Sequence, residues 1–501
     1  MTLSSFGRLI GAGWVLIRAD ALVPRELAPL LPPEVRWPAA VLRLLSGPQA
    51  KRGRPGERLA RAFEQLGPAA IKLGQLLSTR ADVFGDEMAA DLARLKDQLP
   101  PFDAALARAE VERALGRPID TLFKDFGPVV GAASLAQAHR ATLLDGREVA
   151  VKVLRPGIER RVARDIAAMT LAAGLAERLG PTVRRLEPGA FAAAVTRSMA
   201  LELDLRLEAA AASEMGEIMA RDAYMTAPAV IWDGVAKRVL TLEWATGTPL
   251  SAEAALALPG LDRPALASNV IRAFLAQALD HGLFHADLHE GNLFVSAPDK
   301  LIAVDFGIVG RIGHNERRFL AEILWGFLRR DYRRVAEVHF EAGYVPRSQN
   351  VDDFAQALRA VGEPIFGRKA KEVSMGRLLG QLFEITGLFD MHLRPELVLL
   401  QKTMVTVEGV ARRIDADSDI WEAARPVVER WIRRELSPRA QIERHVARAV
   451  RVLERLAERI AADDPPATAP ATGGASAGLW LGVGLAVGLL AAALTLNLLH
   501  Q

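Results

Sequence analysis

His285-Ala286-Asp287-Leu288-His289-Glu290-Gly291-Asn292, followed by Asp305-Phe306-Gly307, is the stretch whose reading decides the fold. Phosphoryl transfer requires a carboxylate at the attacking oxygen and oxygen ligands that fix magnesium against the phosphates. Asp287 has a histidine two residues before it and Asn292 five residues after it. Leu293–Val295 and Leu301–Asp305 read as short strands joined by Ser296-Ala297-Pro298-Asp299-Lys300, a hairpin connection leading to Asp305-Phe306-Gly307. Each piece alone is a common short motif. The ordered set is specific.

Protein kinases carry the same offsets in one catalytic loop, with Asp-Phe-Gly at the end of the following hairpin. In that reading His285 and His289 are scaffold residues that hold the loop. A competing reading makes His285, Asp287 and His289 a transition-metal site, because residues i, i+2 and i+4 share one strand face. It leaves Asn292 and Asp305-Phe306-Gly307 unexplained.

An ATP site also needs a cation on the phosphates, held by a carboxylate. Val149-Ala150-Val151-Lys152-Val153 follows the turn signal Asp145-Gly146, and Lys152 fits that role. Its best partner is Glu208, in Glu202-Leu203-Asp204-Leu205-Arg206-Leu207-Glu208. Such a distance along the chain implies helices inserted after the lysine strand. Taken alone, Glu208 reads equally well as a surface glutamate. Val239–Trp244 is strand-like, and its Glu243 joins the cofactor-binding candidates.

Two departures from ordinary kinases stand out. Where a glycine-rich loop would cover the phosphates, the chain reads Gly131-Ala132-Ala133-Ser134, so methyl groups replace bare backbone. After Gly307 the chain runs through Ile308–His314 into a helical pattern near Asn315, with no Ala-Pro-Glu. So short an activation segment leaves little platform for a peptide substrate.

Half of the 501 residues are hydrophobic and a quarter are charged, so a folded, core-burying chain is expected. The net charge of +3 and the lack of base-reading motifs argue against a nucleic-acid partner. With no cysteine, disulfides, thiolate metal sites and cysteine nucleophiles are excluded. Few strands followed by many helices suggest α+β with a small sheet and a larger helical lobe, and the kinase-type motifs make the expected fold protein-kinase-like and two-lobed. The expected parts are an amphipathic N-terminal segment (1–50), a helical extension (51–125), a smaller lobe with a helical insertion (126–245) and a larger lobe (246–435). A basic helix with linker (436–477) and a membrane anchor (478–499) complete the chain.

Leu479–Leu499 holds 21 residues without a charge. As a helix it would span roughly 31 Å, the thickness of a bilayer core. It reads as a single transmembrane helix. Gly478/Gly482 and Gly484/Gly488 repeat a small-xxx-small spacing, which would permit helix pairing and a homodimer. Upstream, Arg444, Arg448, Arg451, Arg455 and Arg459 form one helical stripe. It fits contact with anionic membrane lipids and fits equally a solvated face packed on the catalytic domain. At the other end, Leu9–Ile17 is apolar but bounded by Arg8, Arg18 and Asp20, too close for a span. An interfacial or domain-packed helix is expected there.

With these motifs the sequence resembles the UbiB (aarF-domain) family of atypical kinases over roughly residues 50 to 435. Lys72-Leu73-Gly74-Gln75 looks like that family's Lys-x-Gly-Gln signature, which would lie in the helical extension. Gly131-Ala132-Ala133-Ser134 looks like its alanine-rich loop, with Gly131 where alanine is usual. Glu202-Leu203-Asp204 looks like its Glu-x-Asp motif. His285–Asn292 resembles its catalytic loop, with Leu288 and Glu290 where prolines are usual. Ala211 stands where an asparagine often follows the helix glutamate by three.

The resemblance implies signature helices that lie over the active site and block protein substrates. It implies that Lys152 and Glu208 form the phosphate-binding pair and that Asp287 occupies the catalytic-base position. Asn292 and Asp305 would hold magnesium, and Ala132, Ala133 and Ser134 would line the ATP. Lys72 and Gln75 with Glu202 and Asp204 would form a lid over the nucleotide. It further implies a role supporting ubiquinone biosynthesis, by ATP-driven handling of quinone precursors beside other proteins of that pathway. The place would be the cytoplasmic face of a bacterial-type inner membrane. Family members often end in two membrane helices, whereas one is evident here. The competing functions are a conventional protein kinase acting in trans and a non-catalytic membrane scaffold.

Overall fold

The computed structural model describes residues 3–21, 40–41, 44–47, 50, 53–78, 85–92, 94–95, 100–179, 187–366, 385, 388–391 and 395–435. By internal contacts the chain divides into Met1–Arg433 and Arg434–Gln501, and the architecture below is that of the first unit. The basic helix and linker expected over 436–477 and the transmembrane helix expected over 478–499 lie outside the described residues. Among the described residues no helix is long and apolar enough to cross a membrane.

The smaller lobe is built on an antiparallel sheet in the order β1-β2-β3-β4: Phe123–Ala132, Ala136–Leu143, Glu148–Leu154 and Val239–Glu243. In β3, Val149, Val151 and Val153 alternate onto one face and are wholly buried. They pack with Ile119, Phe123, Phe126 and with Ala107 and Val111 of a helix over Ala104–Leu115. Each buried valine contributes about 1.5–3 kcal/mol. Alternation turns Ala150 and Lys152 to the opposite face, so the burial that fixes the strand also aims the lysine.

Strands β1 and β2 are not evident in the sequence, and the boundary expected at 125/126 falls inside β1. The reason is local. β1 is an edge strand with register shifts at Phe126/Val129 and Val129/Gly131, around Gly127 and Pro128. Bulges and an edge proline break the alternation that marks a strand. β2 hides its pattern differently, by burying the polar Gln137 and His139.

Between β3 and the helix that carries Glu208, two inserted helices lie among the described residues, as the spacing predicts. Helices α1 to α4 cover Leu3–Arg18, Pro55–Leu66, Pro68–Leu77 and Asp86–Leu92, and α5 is Ala104–Leu115. The inserted pair is α6 (Ile158–Ala176) and α7 (Pro188–Glu202), and α8 (Leu205–Asp222) bears Glu208. Asp204 caps α8, its side chain accepting the Arg206 N–H at 3.2 Å. Leu73 and Leu76 of α3 pack among Val195, Met199 and Leu205. A β-carbon on Gly74 would collide with Leu95 and Phe63, so this glycine allows α3 its close approach.

In the larger lobe α9 (Arg263–Ala276) runs into a π turn at Gln277–His281. Short strands β5 (Thr248–Pro249), β7 (Leu293–Ser296) and β8 (Lys300–Ala303) form one sheet, and β6 (Leu283–His285) pairs with β9 (Val309–Arg311). Helix α10 (His314–Arg329) follows β9 at once, which makes the activation segment as short as expected. Helices α11 (Tyr332–Glu341), α12 (Val351–Phe366), α13 (Pro395–Ile414) and α14 (Ile420–Glu435) complete the lobe.

Candidate active site

The β6–β9 pair and the β7–β8 hairpin enclosed between them in the chain bring the two halves of the sequence motif together. Buried His285 accepts the Asp287 N–H at Nδ1, 3.1 Å away. Nε2 therefore carries the proton and donates to the Val304 carbonyl at 3.3 Å. Burial lowers the pKa of this imidazole and keeps it neutral. The backbone N–H of His285 in turn donates to Gln277 Oε1 at 3.1 Å. With both ring nitrogens engaged, His285 has no lone pair for a metal, and His285, Asp287 and His289 form no metal site.

Asn292 donates from Nδ2 to the Asp287 carbonyl at 3.1 Å, leaving its own amide oxygen as an acceptor. Its carbonyl accepts the Val304 N–H at 2.9 Å, which ties the loop to the strand before Asp305. The Asp287 carboxylate is 38% exposed and lies 3.7 Å from Nε2 of His289. His289 accepts the Gly291 N–H at Nδ1, so its proton sits on the nitrogen facing Asp287.

Lys152 bridges the lobes. Its ammonium donates to both Glu208 oxygens, at 2.7 and 2.9 Å, and lies 3.4 Å from Asp305 Oδ1. Burial opposes the charge on Lys152, but Asp305 and Glu208 outweigh it and raise the pKa. Lys152 in turn holds the Asp305 carboxyl below its ordinary range, against the effect of burial. Burial pushes Glu208 up, with Lys152 pulling the other way. Two carboxylates thus converge on one ammonium. Asp305 holds φ at 60°, a left-handed conformation that few side chains adopt. Its Oδ1 accepts the Gly307 N–H at 3.2 Å.

Asn292 and Asp305 offer only oxygen to an ion, which suits a hard cation such as magnesium rather than a soft metal. Sequence reasoning missed the apolar surface beside them. Lys152 pairs in register with Ala138 and Leu240, and Ala150 pairs with Leu242. Opposed residues share a face, so the partly exposed Ala138, Ala150 and Leu242 flank the lysine, with buried Leu240 beneath them. Glu243 is opposite Val149, on the other face, and its carboxylate is 3.3 Å from Arg147. The structure does not bring its side chain to Lys152.

The loop Ala132–Ser134 is closed by the Ala133 N–H donating to the Ala136 carbonyl at 2.8 Å. Arg155, which sequence reasoning also passed over, donates twice to the Ala133 carbonyl, at 3.0 and 2.8 Å. The same guanidinium donates to the Pro100 carbonyl at 2.9 Å and covers the Phe102 ring. The available signal was an arginine at the strand's exit, in Arg155-Pro156-Gly157. Beneath it, Gln137 exchanges hydrogen bonds with the backbone of Phe102 and donates to His139, whose Nδ1 donates to the Gly127 carbonyl.

Lys72 forms an ion pair with Glu202, both mostly buried, so the two signature segments meet. Burial chiefly raises Glu208, and the like charge of Glu202 adds to it. Asp204 is turned elsewhere, capping α8 and binding Arg206 at 2.6 Å. Gln75 is half-buried on α3, and its carbonyl accepts the Ser78 hydroxyl at 2.7 Å.

A two-lobe fold with this lysine, glutamate, aspartate and asparagine arrangement defines a protein-kinase-like chain of atypical kind. A model of the ABC1 atypical kinase-like domain matches residues 94–339, and one of the UbiB helical domain matches residues 358–419. The curated relative "Probable protein kinase UbiB" of Marinobacter nauticus is 40% identical over 443 residues, covering 87% of this chain and 80% of its own. The chain belongs to the UbiB family of ABC1 atypical kinase-like proteins. The structure of Rv3197 from Mycobacterium tuberculosis in complex with erythromycin is similar in fold. It has a TM-score of 0.52 at 24% identity, with 73% of this chain and 93% of that one covered.

Proposed function

We propose that this chain is a membrane-attached atypical kinase or ATPase that binds ATP with magnesium and supports ubiquinone biosynthesis. The observation that carries the reading is the placement of Lys152 between Glu208 and Asp305, across from the Asn292 loop. Lys152 holds the α/β-phosphates, and Glu208 orients it. Asn292 and Asp305 hold magnesium, which when bound neutralises charge on the phosphates. Asp287 accepts the proton of the attacking hydroxyl or water. Its carboxylate is solvent-accessible and its backbone is fixed by His285 and Asn292. The alanine-rich loop, held by Arg155, covers the phosphates.

Membrane attachment rests on the apolar run Leu479–Leu499 and on the basic stripe before it. The quinone pathway rests on family membership. The short Gly307-to-His314 connection and the Lys72–Glu202 contact favour a small acceptor, or ATP hydrolysis, over a peptide substrate.

Two measurements test this. Magnesium with ATP or ADP should raise the melting temperature of the full chain, and Asp305→Asn should abolish the magnesium-dependent part. No nucleotide effect on the unaltered chain would overturn the ATP site. Cells lacking the protein should lose ubiquinone and regain it with the unaltered chain but not with an equally abundant Asp305→Asn variant. Restoration by both would favour a scaffold.

A further inference from the structure

Helix α13 reaches the catalytic loop at two places. The buried Thr403 hydroxyl lies 2.8 Å from the Leu399 carbonyl of its own helix and 3.2 Å from the Ala286 carbonyl of the loop. Near the helix end, the Arg413 guanidinium forms an ion pair with Glu290 at 2.6 Å and donates to the Leu250 carbonyl at 3.4 Å. The helix is a firm support there. Val407, Val410 and Ile414 are buried, and the Ile414 carbonyl accepts from Arg263 at the start of α9. The Leu250 N–H donates in turn to the Leu293 carbonyl at 2.8 Å, just past Asn292. Arg413 therefore joins the middle of the loop to the backbone that leads out of it.

The loop is unevenly held without this contact. His285 is fixed by Gln277 and Val304, Leu288 is wholly buried, and Asn292 is tied to Asp287 and Val304. Between Leu288 and Asn292 the His289 side chain is 51% exposed, and Gly291 is exposed. Glu290 stands inside that stretch, where proline is usual in the loop it resembles.

The backbone at Glu290 is one that proline would fit. Glu290 opens a 3₁₀ turn over Glu290–Asn292, and His289 before it is extended, at φ −90° and ψ 166°. Proline suits the first position of a helical turn and favours an extended residue before it. Its ring would stiffen the turn, whereas glutamate leaves φ free. What glutamate brings instead is a charge, and Arg413 receives it. A half-exposed ion pair adds little to global stability, so its value here is geometric. Asp287 and Asn292 flank the turn, and a shift of it displaces groups that phosphoryl transfer needs in register.

We propose that Arg413 is a positioning residue for the catalytic loop, supplying through Glu290 the restraint that a proline would otherwise give. Asp287 and Asn292 are then held in place from the helical domain matched over 358–419. The catalytic consequence rests on the ATP reading; the restraint itself does not.

Hydrogen exchange of the full chain reads the restraint without any chemistry. Arg413→Ala should speed exchange of the amides of residues 287–292 about tenfold, while strand β2 keeps its rate. In the Glu290→Pro background the same substitution should change them less than about twofold. Steady-state ATP hydrolysis reads the consequence. Arg413→Ala should lower kcat about tenfold, with KM for ATP within about twofold, and Arg413→Lys should recover part of the loss. The charge exchange of Glu290→Arg with Arg413→Glu, which should restore most of what either single substitution loses, serves should Glu290→Pro fail to fold. Unchanged exchange over 287–292 in Arg413→Ala, or faster exchange throughout the chain, overturns the proposal. An equal loss in the Glu290→Pro background also overturns it and assigns Arg413 a role through Leu250. If the exchange pattern holds but the unaltered chain hydrolyses no ATP, the restraint stands and the ATP reading falls.

Discussion

Lys152 donates to both carboxylate oxygens of Glu208, at 2.7 and 2.9 Å, although 56 positions separate the two in the chain. Helices α6 and α7 lie within that interval, so the pair is a product of tertiary folding rather than of local spacing. Glu208→Gln leaves Lys152 with Asp305 as its remaining anion. Breaking such a pair should cost about 1–3 kcal/mol of stability, less than the full cost for a buried pair because Asp305 remains. Chemical denaturation of Glu208→Gln, Lys152→Met and the double variant checks this. The double variant should be more stable than the sum of the singles, while binding no nucleotide.

Arg155 is the second prediction. Its two hydrogen bonds to the Ala133 carbonyl hold the loop from below. Arg155→Ala should weaken nucleotide binding about tenfold, the scale of one charge-assisted hydrogen bond. Arg155→Lys keeps the charge but loses the fork and should fall between the two. Titration calorimetry with magnesium-ADP measures it, and an unchanged affinity would remove Arg155 from the loop's support.

The Lys72–Glu202 ion pair lends itself to a charge swap. Lys72→Glu and Glu202→Lys should each destabilise the chain, and the combined exchange should recover most of the loss. A coupling energy of about 1–2 kcal/mol is expected for a contact of this kind. Coupling near zero would mean that the two signature segments are held together by Leu73 and Leu76 alone.

A pH dependence follows from the buried imidazoles. Burial lowers His339 to about 4, although its Nδ1 proton is donated to the Val335 carbonyl. The unfolded chain takes up this proton near pH 6.5 and the folded chain near pH 4. Stability is therefore complete above about 6.5 and falls as the pH drops toward 4. Between pH 7 and pH 5 this histidine should account for roughly 1–2 kcal/mol. His339→Phe should flatten the decline in melting temperature over that range. His285, also lowered by burial, adds to the decline with the same sign.

Much of the site is legible in the sequence because its chemistry is local. Asp287, Asn292 and Asp305 sit in one short hairpin unit, and Lys152 sits on a strand marked by three buried valines. Glu208 is harder, since only the fold removes the inserted helices from view. Arg155 acts through a backbone carbonyl, which leaves no mark on residue type at Ala133. Strands β1 and β2 are hidden by a bulged edge and by a buried polar chain through Gln137 and His139. The face on which the Glu243 side chain lies is hidden for a simpler reason. One step along β4 exchanges the two faces of the sheet, and the strand's register cannot be read from its composition.

Asp305 keeps a left-handed backbone at φ 60°, where glycine rests with less strain. Asp305→Gly would relieve that backbone but would also take away one of the two anions around buried Lys152, at the very position expected to hold magnesium. A screen that scores heat resistance alone reads two opposed effects at this carboxylate. Stabilised versions of the protein are therefore best selected for nucleotide response at the same time.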